Sequence, residues 1–226
     1  MYWFWDSTMI LILPALILAF WAQAKMRSTF TKYSRIGTHT GMTGAEAARR
    51  ILDQAGVFGL KIEHVRGNLS DHYDPRTGVL RLSDGVFGQA SIAAIGVAAH
   101  EAGHAIQHSE GWFPIKARNA IVPIANLGSS AAFPLFIAGL IFRAQPLMQI
   151  GILFFAAAVV FHLITLPVEI DASRRAIVAI EGANILDQQE IKGAKKVLTA
   201  AAMTYVASTL MALLNLLRMI LLSRSR

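Results

Sequence analysis

The sequence contains no cysteine, which excludes disulfides and thiolate zinc ligands. Charge is scarce as well. Asp, Glu, Lys and Arg make up 15% of the 226 residues against 54% hydrophobic residues, and the mean hydropathy is +0.48. Such a composition excludes an ordinary soluble domain. Acidic residues are the scarcest charges, 14 against 21 Lys and Arg, which leaves a net charge of +7 and a pI near 10.1. The basic residues are not gathered into a stripe interleaved with aromatics, so nucleic acid is not the expected partner. Internal repeats and low-complexity segments are absent too.

What the chain does have is long apolar runs. A membrane-spanning helix needs about 20 mostly apolar residues, and residues 3–22, 120–142, 147–168 and 200–222 approach that length. The expected organisation is a membrane anchor (1–24), a polar domain (25–118), a transmembrane hairpin (119–168), a polar helical segment (169–199) and a C-terminal membrane helix (200–226). Lys and Arg collect on the cytoplasmic side of such proteins. Twelve lie between residues 23 and 118 and five between 169 and 199, whereas the loop between the second and third runs has only Arg143. Both polar blocks are therefore expected on the cytoplasmic face of the cell membrane, with the bilayer as a partner and the N-terminus outside. Ala22-Gln23-Ala24 imitates a signal-peptidase site, but Asp6 is the only charge before Lys25, and a signal peptide begins with a positive region. The first run is expected to be a retained anchor. The last either spans or forms a re-entrant or interfacial helix, since Arg218 lies inside it and Arg224 and Arg226 follow; an Arg near a helix end can snorkel.

Within the first polar block, residues 34–43 read as a Gly- and Thr-rich linker. Thr43-Gly-Ala-Glu46 is a capping-box pattern that predicts a helix ending before Gly56. Residues 62–65 and 79–82 have strand character and flank Asp74-Pro75-Arg76-Thr77-Gly78, which predicts a small β-hairpin or meander. Residues 91–107 are Ala-rich and helical.

That helix carries His100-Glu101-Ala102-Gly103-His104, an H-E-x-x-H pattern. Two His at i and i+4 share one helical face and can hold a zinc ion, and the Glu beside them can take a proton from zinc-bound water. With seven His in the chain, a chance match has a probability under about one in a hundred. One catalytic zinc needs a third protein ligand. His108 lies four residues further on, but one straight helix seldom wraps three ligands around a tetrahedral ion. Glu169 is the better candidate: it follows Pro167 at the expected membrane border, opens a polar helix, and comes where the hairpin returns the chain to the zinc side. Its structural alternative is a Glu favoured by the helix macrodipole. Arg174, Arg175, Tyr73 and His162 are conceivable oxyanion stabilisers.

These residues resemble the YugP-like membrane neutral zinc metallopeptidases of bacteria. The resemblance covers essentially the whole chain: the anchor, Asp71-His-Tyr-Asp-Pro, Gly78-Val-Leu-Arg-Leu-Ser83, the HEAGH helix and Pro167-Val-Glu-Ile-Asp-Ala-Ser-Arg-Arg-Ala176. More distantly the chain is similar to membrane gluzincins of the HtpX and CAAX-prenyl-protease type, and that similarity implies Glu169 as third ligand. Those enzymes place Asp four residues after the Glu, where Ser173 stands here; Asp171, two residues on, is the remaining candidate for a hydrogen-bond partner behind a zinc-binding His.

The fold expected is a mainly α membrane protein, about four transmembrane helices with a small α+β zincin-like domain carrying the HExxH helix. The function expected is zinc-dependent hydrolysis of peptide bonds in membrane-associated or membrane-proximal polypeptides. Strand 79–82 can pair with an extended substrate by β-augmentation or be an ordinary internal strand. A non-catalytic zinc-stabilised scaffold that binds partner proteins is the alternative; it has no use for Glu101. A transporter is disfavoured, because the His and Glu lie outside the apolar runs.

Overall fold

The computed structural model describes residues 8–224; the start of the expected anchor with Asp6, and Arg226, lie outside the described residues. In chain order the elements are α1 (Met9–Ser34), α2 (Gly44–Gln54), β1 (Lys61–His64), β2 (His72–Asp74), β3 (Val79–Leu82), α3 (Ile92–Ser109), α4 (Phe113–Phe142), α5 (Gln145–Gly182) and α6 (Gln188–Arg224). The protein is mainly helical with one small sheet. Helices α1, α4, α5 and α6 are long and apolar enough to cross a membrane. The chain divides into two compact units, one of Met1–Gln23, Ala117–Pro167 and Thr204–Arg226, the other of Ala24–Lys116 and Val168–Met203.

The first unit consists of apolar helix segments that meet through small residues. A Cβ on Gly128 would stand 2.5 Å from the Phe154 carbonyl oxygen, and one on Gly151 2.8 Å from that of Ala132, so α4 and α5 approach as transmembrane pairs do. Large apolar side chains face outward, with Phe20 70% and Leu153 68% exposed. Arg218, inside the last apolar run, donates from Nε to the Thr8 hydroxyl at 3.2 Å. Helix α6 runs through that region without a break.

The second unit has a core that includes Ile51, Leu52, Leu80, Leu82, Ile95 and Ile180. Helix α2 starts as its sequence predicts: the Thr43 side chain accepts from the Glu46 amide, and Glu46 returns the bond to the Thr43 amide. It ends in a Schellman arrangement, with Gly56 at φ 74° and its N–H on Asp53 O, and the Val57 N–H on Leu52 O. A second capping box starts α6. Asp187 Oδ1 accepts from the amides of Gln189 and Glu190, Glu190 Oε2 accepts from the Asp187 amide, and His39 fastens onto Glu190 through its own amide and Nδ1.

Two expectations are corrected. The strand order is β1-β3-β2, with β1 parallel to β3 and β2 antiparallel to it. The turn at Asp74–Gly78 therefore joins β3 to a strand that was not expected, not to β1. Three residues reading His-Tyr-Asp carry almost no alternation signal, so β2 exists because β3 offers it an edge. Since β3 is paired on both sides, it has no edge for a substrate; β2 is the edge strand beyond it. Helix α1 runs on to Ser34, because 25–34 holds no breaker and buries Thr29 and Tyr33. Finally, Pro167 does not end a helix. It lies inside α5, which runs unbroken from Gln145 to Gly182, so Glu169 is a mid-helix residue and owes nothing to a helix N-terminus.

Candidate metal centre

Helix α3 is capped by Ser91, whose side chain accepts from the Ala94 amide, and is buried on nearly every face. Its 3.6-residue period brings His100 and His104 together, with ring centroids 4.8 Å apart and planes at 82°. From α5, Glu169 Oε2 reaches 3.2 Å from His100 Nε2 and 3.5 Å from His104 Nε2. The three ligand atoms all lie within 4.8 Å of one another.

Glu169 is 1% exposed. A carboxylate withdrawn from water to this extent is costly unless a cation compensates it, whether imidazolium or metal. Two imidazole nitrogens and one carboxylate oxygen this close together are a donor set of catalytic zinc sites, which keep a fourth position open. The residues present therefore fit zinc by their chemistry. His108 is outside this group; its Nδ1 is 3.2 Å from the Tyr73 hydroxyl.

Glu101 is 9% exposed, and its Oε2 accepts the Tyr73 main-chain N–H at 3.1 Å. The sheet positions that amide. Tyr73 is the middle residue of β2, in register with Leu80. The following turn is tied by Asp74, whose carboxylate accepts from the Arg76 amide at 2.9 Å and the Thr77 hydroxyl at 2.8 Å. Those bonds hold the Asp74 carboxyl down to about 2, the Thr77 hydroxyl having the largest effect. At the other end of β2, Asp71 accepts from the amide and hydroxyl of Ser83, at 2.7 and 2.9 Å. Burial, more than the nearby Asp74 charge, pushes the Tyr73 phenol up, so it stays neutral.

Behind the histidines, His100 Nδ1 lies 3.1 Å from Ser173 Oγ and His104 Nδ1 lies 3.1 Å from Gln107 Oε1. Asp171 is held by other groups: its Oδ2 accepts from Gln107 Nε2 at 3.0 Å, and it also binds Arg174 and Arg175. Arg175 is further held by Glu110 at 2.7 Å, while Arg174 is largely exposed. His162 falls in the other unit. Sequence reasoning missed Gln107 and the service of Ser173, although both stand one turn from a proposed ligand, at i+3 from His104 and i+4 from Glu169. It weighed Tyr73 only for its side chain, when the main chain makes the contact to Glu101.

Residues 8–224 match the model of a family described as "Putative neutral zinc metallopeptidase". Among curated proteins, the chain is similar to "Putative membrane protease YugP" of Bacillus subtilis (strain 168), 48% identical over 212 residues that cover 94% of each chain. No solved structure matches it.

Proposed function

Since the chain belongs to the family described as "Putative neutral zinc metallopeptidase", we propose that it is a multi-pass membrane metalloendopeptidase of the HExxH type. In this reading it hydrolyses peptide bonds of membrane-associated or membrane-proximal polypeptides. The observation that carries the reading is the convergence of His100 Nε2, His104 Nε2 and Glu169 Oε2 next to Glu101 on the same helix.

His100, His104 and Glu169 would hold a single zinc ion. When bound, zinc supplies Lewis acidity that polarises the scissile carbonyl and lowers the pKa of water towards 7. Glu101 works as the general base. It takes a proton from the attacking water as the oxygen bonds to the carbonyl carbon, and returns it to the amine nitrogen as the C–N bond breaks. The Tyr73 amide holds Oε2 of Glu101 and leaves Oε1 for that proton. Edge strand β2, whose Tyr73 amide adjoins the base, replaces β3 as the place where an extended substrate can align.

The outward-facing apolar helices support a bilayer location, and the excess of Lys and Arg in the two polar blocks supports an active site on the cytoplasmic face of the cell membrane. Metal analysis of the purified protein, run beside a casein or peptide hydrolysis assay of wild type and Glu101→Gln, tests the reading. Wild type should bind one zinc and hydrolyse; Glu101→Gln should keep zinc and lose turnover. Zinc binding without hydrolysis across a broad peptide library would favour a scaffold instead.

A further inference from the structure

Gln107 is fully buried and makes three hydrogen bonds whose polarities constrain one another. Its Nε2 lies 3.0 Å from the Val168 carbonyl oxygen and 3.0 Å from Asp171 Oδ2. A carbonyl only accepts, and so does a carboxylate held by two Arg residues. The amide must therefore turn its NH2 towards Val168 and Asp171, and its oxygen towards His104 Nδ1, 3.1 Å away. An imidazole nitrogen facing an amide oxygen has to carry the hydrogen. In the neutral imidazole the lone pair then sits on Nε2, the atom through which His104 would share a metal with Glu169.

We propose that Gln107 is a positioning residue that sets His104 in the Nδ1–H tautomer, which presents Nε2 as the ligand atom, and that Asp171 acts on His104 through Gln107. The inference rests on the zinc reading and adds to it where the tautomer comes from. Asp171 is the orienting end of the relay: Arg175 Nε at 2.5 Å and Arg174 at 3.1 Å aim its carboxylate, and Arg175 is itself anchored to Glu110 at the C-cap of α3. With Gln107 sealed from solvent, water cannot stand in for the amide. A carboxylate placed directly on His104 would do the same work in one step; here the distance is bridged by an amide that accepts at one end and donates at the other.

The test uses the full-length protein in detergent or nanodiscs, with zinc affinity read by competition against a fluorescent zinc chelator and the melting of the metal-free protein as the folding control. Gln107→Leu should weaken zinc by roughly ten- to a hundredfold, the usual effect of losing a partner behind a metal ligand. Gln107→Glu should weaken it comparably, because two carboxylates then meet. Asp171→Asn should cost less, since the Asn oxygen can still accept from Gln107. The informative variant is the swap Gln107→Glu with Asp171→Asn. The amide now stands at 171 and donates to the carboxylate at 107, which removes the meeting of two carboxylates while His104 Nδ1 still faces an oxygen, and about tenfold or more of the affinity lost in Gln107→Glu should return. A filler role in the core predicts no such recovery. Wild-type affinity in Gln107→Leu, or a swap no tighter than Gln107→Glu, overturns the relay while the zinc centre stands. A wild type that takes up no zinc overturns the metal reading and the relay with it.

Discussion

Gly103 faces the backbone of Ala172: a Cβ at position 103 would stand 2.8 Å from the Ala172 carbonyl oxygen. The second variable position of the HEAGH motif is thus the point where α3 and α5 touch. Glu169 lies on α5 one turn before Ala172, so the separation of the two backbones there decides whether its carboxylate reaches the histidines. A carbonyl oxygen on a long helix cannot rotate away as a side chain would.

Gly103→Ala should therefore destabilise the protein by about 1–3 kcal/mol, as overpacking does, and weaken zinc binding as α5 is pushed back. Gly96→Ala is the control on the same helix. Its Cβ would meet Ala194 Cβ at an ordinary 3.6 Å, and Ala gains up to about 1 kcal/mol over Gly in a helix interior. Melting and zinc titration of both variants check the contrast; equal behaviour would remove Gly103 from this role.

Loss of a ligand and loss of the base should be separable. His100→Ala and His104→Ala should lose stoichiometric zinc and all activity. Glu169→Gln removes an anionic donor, so zinc affinity and turnover should fall together, affinity by more than about tenfold. Glu101→Gln should differ from all three by keeping its metal. Zinc content measured beside hydrolysis decides each case, and full zinc affinity in Glu169→Gln would return the third-ligand position to another residue.

Tyr73 should matter through its main chain. Because its amide binds Glu101 while its hydroxyl is turned to His108, Tyr73→Phe should cost less than about tenfold in kcat, against roughly 100- to 1,000-fold for loss of an oxyanion donor. Tyr73→Pro removes the N–H and should cost far more. A large kcat loss in Tyr73→Phe would move the phenol into the catalytic machinery.

Topology can be read by labelling, since no native Cys interferes. Single Cys substitutions at Ser70 and at Gln189 test one point in each polar block. Both should be shielded from an impermeant thiol reagent in intact cells and react after permeabilisation. Labelling of one site alone in intact cells would place the two blocks on opposite faces.

Local chemistry was legible in the sequence. The capping box at Thr43, the helix with its two His and one Glu, and the long apolar runs each depend on residues within a few positions of one another, and among the described residues each falls in a helix where its pattern stands. Glu169 was legible as a residue but not as a position, because Pro167 looks like a helix boundary in sequence and lies inside a continuous helix in the fold. Strand β2 was invisible, since three polar residues pair only because β3 is there to pair with. The contact of Gln107 with Asp171, which completes the link to His104, joins residues 64 positions apart, on two helices that stand close together at Gly103. The sequence by itself determined which groups could do the chemistry, through helical periodicity and side-chain type. Only the tertiary structure decided which of them meet, because that depends on how closely separate backbones can approach.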